Sequence, residues 1–228
     1  MASPSEELPL GLPVLPGGGM VPPVPAGVEI PPEPPDVGAR ALSVAARLLC
    51  GASTFFFLAF LFAYFYLRSI NQDHMWHPAH VNPAKGLGAA FIVCIVVSAG
   101  LTIVAGRQMK AKSPSWLGPA IGGVVLGLAA IALQCIEFTV QDFGPTNGAY
   151  ASVFCAWSAF YLLAVLGTMY WLETQVATEL RARRTPAATG GDIKDPDRLI
   201  APGLDAAIFF WAFLAGIGVL TYVTLYLL

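Results

Sequence analysis

Five apolar runs, near 44–67, 84–106, 116–138, 149–172 and 204–228, decide what this chain can become. Each is long enough to cross a bilayer as a helix, which takes about 20 apolar residues. None alternates with the period of two that marks a barrel strand. Backbone groups in hydrocarbon must find partners within their own segment, so helices remain. The expected fold is an all-α integral membrane protein, a five-helix transmembrane bundle over 41–228. Composition agrees: 56% of the residues are hydrophobic and 11% charged, against about 25% charged in a soluble domain.

Residues 1–40 differ in kind. They hold eleven of the nineteen prolines, with acids at Glu6, Glu7, Glu29, Glu33 and Asp36. Such a segment cannot bury a core, and the expectation is a disordered, proline-rich cytoplasmic tail. Its acidic start, with no apolar run behind it, does not read as a signal peptide. Ten of the twelve Lys and Arg residues precede the first run, stand in its first turn (Arg47) or fall in the second and fourth connections; Arg68 and Lys85 lie on the other side. The positive-inside rule then places the N-terminus in the cytoplasm and the C-terminus outside. The net charge of −2 is segregated along the chain, and nucleic acid is not an expected partner. The fourth connection, 177–201, reads as a solvated loop.

Polar residues inside the runs are few, so each carries weight. Gln134, Glu137 and Gln141 stand at i, i+3 and i+7 and share one face if the helix continues. A carboxylate near hydrocarbon costs a few kcal/mol unless it is paired, hydrated or protonated. Glu137, with Gln134, is therefore expected to face a partner helix or loop; the plainer alternative is a carboxylate that reaches interfacial water. Gly118 with Gly122, and Gly123 with Gly127, form small-xxx-small pairs that let another helix approach. They predict that the third span sits centrally. The first outer connection holds all three histidines, His74, His77 and His80. Spacing of three is compatible with a shared metal, but Pro78 interrupts it, and an ordered loop anchored by Trp76 is the preferred reading. Cys50, Cys94, Cys135 and Cys155 lie inside apolar runs without metal-site spacing and read as small buried side chains. No P-loop, dinucleotide fingerprint, CxxCH or HExxH occurs, and no catalytic, cofactor-binding or metal-binding residue is expected in this chain. Neither internal repeats nor broken helices suggest a transporter.

The order of short motifs resembles subunit III of the haem–copper, aa3-type cytochrome c oxidases, in a divergent five-span bacterial form. FAYFYLR at 62–68, with Tyr64 and Arg68, is similar to the end of that family's aromatic helix. Trp76 and Pro78, followed by Asn82 and Pro83, resemble its outer loop. LQCIE at 133–137 and GAYASVF at 148–154 are similar to its LQxxE and GxYGSxFY motifs. Trp211 and the tyrosines at 222 and 226 resemble its closing helix. The resemblance covers about 43–228.

That resemblance implies a cofactor-free, non-catalytic subunit of a proton-translocating oxidoreductase. Haems and copper would reside in partner subunits, above all in catalytic subunit I. The chain would stabilise that subunit, bind phospholipid and flank an oxygen route, in a bacterial plasma membrane. The electron donor, the haem types and membership of a respiratory supercomplex stay open. Departures from the family are systematic: Ser53 stands near a usual glutamate, Tyr161 and Ala164 at usual histidines, and Ala212 and Ala215 where a histidine and an aspartate are usual. Each removes an ionisable group from a helix interior. Two other readings remain at this stage, an accessory subunit of a nitric oxide reductase and an unrelated small transporter or assembly factor.

Overall fold

The computed structural model describes residues 35–70, 76–78, 81–184 and 197–228. Five helices account for nearly all of them: α1 (Pro35–Ser69), α2 (Lys85–Lys110), α3 (Leu117–Val140), α4 (Ala149–Arg184) and α5 (Asp197–Tyr222). Within them lie five stretches long and apolar enough to cross a membrane, Arg40–Ser69, Lys85–Lys110, Pro114–Val140, Ala149–Thr178 and Pro202–Leu227. The chain is a multi-pass membrane protein with no strand among the described residues.

Local chemistry sets the helix ends. Arg107 and Lys110 close α2, where cations favour the negative end of the helix dipole. Lys112 then takes a left-handed φ of 54°, and the Ser113 hydroxyl accepts the Ser115 N–H at 3.4 Å, starting a 3-10 turn at Pro114–Trp116. At the far end of α3, the Gly144 N–H donates to Asn147 Oδ1 at 2.8 Å. Gly148 adopts φ 130°, which an L side chain rarely tolerates, and α4 begins at the next residue.

Three boundaries differ from the sequence reading. Helix α1 begins at Pro35, inside the segment taken as tail, because proline suits a first helical turn; residues 1–34 lie outside the described residues. Helix α4 runs on to Arg184, so the first part of the connection taken as a loop is helical. The run ETQVATELRARR at 173–184 is rich in helix formers and meets no proline or glycine. Helix α3 stops at Val140, and Gln141 is extended at ψ 122°, which takes it off the face it was expected to share with Gln134 and Glu137. Its amide instead reaches Cys155 Sγ at 3.6 Å.

The central helix is α5, and not the third span as the glycine pairs suggested. Helix α5 packs on α1, α2 and α4, while α3 packs chiefly on α2 and then on α4. The buried line of α3 is a single seam through Trp116, Ala120, Gly123, Gly127, Ala130, Gln134 and Glu137, with spacings of 4 and 3. A seam of small residues brings one neighbour close on one side; it does not surround a helix. Centrality comes from large side chains spread around the helix, such as Leu204, Ile208, Phe210 and Leu214 of α5, all buried.

Candidate functional site

The deepest polar cluster lies where α3, α4 and α5 meet. Glu137, on the last turn of α3, is 1% exposed, and it is the only acidic or basic side chain buried among the described residues. The Gln134 amide, one turn earlier, donates to its Oε2 at 2.9 Å. The Tyr226 hydroxyl, from the end of the chain, donates to its Oε1 at 2.7 Å. Both carboxyl oxygens are thus held by neutral donors.

Tyr226 reaches Glu137 because the last turn is distorted. Residues Val223–Leu227 form a π-helical turn, closed by Leu228 N–H to Val223 O at 3.1 Å. A wider turn, common at functional positions, presents Thr224, Leu225 and Tyr226 together to the interior, and all three are buried. Helix α2 passes this ring at Gly88, where a Cβ would lie 2.5 Å from the Tyr226 ring. Tyr222 stacks on Tyr226 at 5.0 Å between centroids, and Phe154 meets it edge-on at 5.4 Å.

Around this cluster stands an aromatic cage that collects most of the motif residues. Tyr64 and Trp76 pack edge-to-face at 5.1 Å, and Trp76 meets Tyr150 at 5.8 Å. The Tyr150 N–H donates to the Trp76 carbonyl at 3.1 Å, and its hydroxyl donates to the Leu225 carbonyl. His77 lies against the Tyr150 ring at 4.5 Å, and the Arg68 guanidinium sits 6.0 Å from the Tyr64 centroid. The Pro78 carbonyl accepts the Val81 N–H at 3.0 Å, in the turn that leads to Asn82 and Pro83. A cleft of about 340 Å³ opens between Tyr64, Arg68, Trp76, Asn82, Lys85 and Tyr226, with Pro83 also on its wall. His74 and His80 lie outside the described residues, and with them the metal reading of that loop.

A second set lies at the α2–α3–α5 contact. The Trp211 indole N–H donates to Ser98 Oγ at 3.1 Å, and the Ser98 hydroxyl donates to the Gly123 carbonyl at 2.6 Å. A Cβ on Gly123 would come within 2.5 Å of Thr102 Cγ2, and one on Gly127 would run into Met169. The expected glycine pairs are therefore unequal. Gly122 has Leu101 beside it at 3.3 Å, but a Cβ on Gly118 would meet nothing within 4 Å.

Sequence reasoning singled out Glu137 and Gln134 but missed Tyr226 as the donor; it gave Tyr150 no role beyond its motif, and it passed over Ser98. Tyr150 and Tyr226 were present in motifs; their signal was a hydroxyl within an apolar run, which needs an acceptor. No group of three His, Cys, Asp or Glu side chains able to hold a metal ion occurs among the described residues.

No family model matches the sequence. Curated relatives do. Cytochrome c oxidase subunit 3 of Tachyglossus aculeatus aculeatus is 23% identical over 181 residues, covering 77% of this chain and 65% of that protein. The protein of the same name from Struthio camelus is 24% identical over 193 residues, covering 82% and 69%. The one from Branchiostoma lanceolatum is 23% identical over 181 residues, covering 77% and 64%. The chain thus spans about two thirds of the length of the relatives it matches. It is similar to subunit III of cytochrome c oxidase, the family the ordered motifs resemble.

Proposed function

We propose that this chain is a cofactor-free subunit III of a respiratory cytochrome c oxidase, in a bacterial plasma membrane with its N-terminus in the cytoplasm. One observation carries the reading: relatives with that single name match over 77–82% of the chain. In this reading the chain covers a flank of catalytic subunit I, which holds haems and copper with its companions, and it keeps phospholipid and an apolar oxygen route beside that flank. Helix α1 supports the flank role. Of its membrane stretch only Ala46, Phe57 and Tyr64 are buried within this chain, and Leu48, Phe55 and Phe62, seven residues apart, point outward. Association between membrane helices rests on such packing together with lipid contacts.

The test is purification in mild detergent. The chain is expected to migrate with haem-containing subunits in a complex that consumes oxygen. Stripping it out should leave the haem spectrum and the initial oxygen consumption in place but shorten activity during turnover. Loss of haem or copper on stripping would overturn the accessory role, as would a stripped complex that lasts as long as the intact one. A complex that reduces nitric oxide instead would move the chain to the reductase reading, which the missing ionisable groups at Ser53, Tyr161, Ala164 and Ala215 favour.

A further inference from the structure

Beside the Glu137 cluster, among α2, α3, α4 and α5, lies a small cavity. The room in it for the centre of a water molecule is about 10 Å³. One water needs about 10–15 Å³ on that measure. Phe91 and Ile92 of α2 form an apolar side. Gln134 of α3, Ser158 and Tyr161 of α4, and Thr221 and Tyr226 from the end of the chain bring polar groups to the wall. Glu137 itself is not on it.

Ser158 sets this cavity apart. Aromatic rings aside, eight polar or charged side chains are buried among the described residues. Seven of them hold a side-chain hydrogen bond. Ser158, 4% exposed, holds none among the described residues. A hydroxyl on a helix commonly gives its proton to the carbonyl one turn back. Thr168 and Thr221 do so here, to the Ala164 and Ile217 carbonyls, each at 2.8 Å. Ser158 keeps its proton uncommitted, and a buried hydroxyl in that condition loses its hydration without a replacement. The other polar groups on the wall have the opposite character. Tyr161 donates to the Leu214 carbonyl, Thr221 to the Ile217 carbonyl, and Tyr226 and the Gln134 amide to Glu137. Each has given a proton to a group off the wall and keeps an oxygen with lone pairs.

We infer that this cavity is the binding site of a single water molecule, which accepts from the Ser158 hydroxyl and donates to oxygens among Gln134, Thr221 and Tyr226. The wall is rich in acceptors and holds one uncommitted hydroxyl, so its complement is a small molecule that donates two protons and accepts another. Water does this, whereas dioxygen and hydrocarbon donate none. An apolar cavity of this kind would stay dry, but a buried water takes hold where two to four polar partners converge. The bound water adds a polar link from α4 to Gln134 and Tyr226, the two side chains that hold Glu137. The site goes beyond the oxidase reading and does not depend on it.

The test is magic-angle-spinning NMR of the full-length, 15N-labelled chain in phosphatidylcholine vesicles, with magnetisation transferred from water protons. The Gln134 side-chain amide is the reporter. The Trp211 indole N–H, comparably buried and donating to Ser98, is the dry reference. Transfer should reach Gln134 faster than Trp211 by about threefold or more. Ser158→Val fills the cavity with methyl groups and should bring the Gln134 rate down to that of Trp211. Ser158→Ala, which a helix accepts readily, withdraws the hydroxyl without filling the space and should lower the rate by about half. Thr168→Val removes a buried hydroxyl that is already satisfied within α4 and should leave the rate unchanged. Equal rates at Gln134 and Trp211 in the parent chain would overturn the site. So would a Gln134 rate that is unchanged in Ser158→Val or Ser158→Ala, or one that falls as far in Thr168→Val as in Ser158→Ala.

Discussion

The Glu137–Tyr226 contact can be weighed by a double-mutant cycle. Tyr226→Phe keeps the ring, its stack on Tyr222 and its edge contact with Phe154, and deletes only the hydroxyl that donates to Oε1 at 2.7 Å. With Glu137 1% exposed, no water replaces the lost donor readily. An orphaned buried acceptor costs about 1–3 kcal/mol in general, while hydrogen bonds within membranes average about 0.6 and reach about 1.7 kcal/mol. The expected loss lies where these ranges overlap, near 1–1.5 kcal/mol. Glu137→Leu leaves both the Tyr226 hydroxyl and the Gln134 amide without an acceptor and should cost about 1–2 kcal/mol. Glu137→Gln keeps one acceptor oxygen and the shape, and should cost within about 0.6 kcal/mol. The double variant Tyr226→Phe with Glu137→Leu removes donor and acceptor together, so its loss should fall short of the sum by about 0.6–1.7 kcal/mol. Reversible unfolding in mixed micelles of rising dodecyl sulfate content, followed by tryptophan fluorescence, measures each corner. Additivity within about 0.3–0.5 kcal/mol would show that the two side chains are adjacent without holding each other, and would refute the reasoning.

Three further outcomes are expected. Gly88→Ala puts a methyl 2.5 Å from the Tyr226 ring, so it should cost about 1–3 kcal/mol by overpacking, and much of that cost should vanish in a Tyr226→Leu background; an unchanged cost there would contradict the close approach. Gly123→Ala meets Thr102 Cγ2 at 2.5 Å and the Ser98 carbonyl at 3.2 Å, neither of which yields easily, whereas Gly118→Ala meets open space. The first should destabilise by about 1–3 kcal/mol and the second should be neutral or stabilise by up to about 1 kcal/mol, as read in the same unfolding assay. For topology, an impermeant thiol reagent applied outside intact cells should label Ile70→Cys and spare Lys112→Cys, following the ten-to-two division of cations; the opposite pattern would invert the bundle.

Span number and helical type were legible because hydrocarbon allows a single local solution, and five long apolar runs state it directly. The polar seam was legible in part. Glu137 and Gln134 stand out because any carboxylate or amide does in such surroundings. Their partner did not, since Tyr226 reaches them through a π-helical turn that no regular periodicity announces. Gln141 was misplaced for a related reason: spacing extends a face only as far as the helix lasts, and α3 stops one residue short. The third span was misread as central because glycines report how near one neighbour comes and say nothing of how many there are. Cooperation between Trp211, Ser98 and Gly123 joins three helices at separations of 113 and 25 residues, and no local pattern encodes that.

The positions that depart from the family's ionisable pattern show how a bundle does without them. Tyr161, where a histidine is usual, is 1% exposed, and its hydroxyl donates to the Leu214 carbonyl at 2.8 Å. That bond ties α4 to α5 through a phenol hydroxyl in place of an imidazole N–H. Gly218 makes room for the phenol, since a Cβ there would run into its hydroxyl. Phe91 and Phe57 close on the same ring edge-to-face at 5.9 and 6.0 Å. Ala215 is buried with no polar group to satisfy, and Ala164 offers only its carbonyl, which accepts the Thr168 hydroxyl at 2.8 Å. What the substitutions remove is charge, while packing and one interhelical hydrogen bond survive. Glu137 is then the one acidic or basic side chain buried among the described residues, and both its oxygens are held by donors, the Gln134 amide and the Tyr226 hydroxyl. An interior arranged in this way ties α4 to α5 and the end of the chain to α3 through single hydrogen bonds set among aromatic rings.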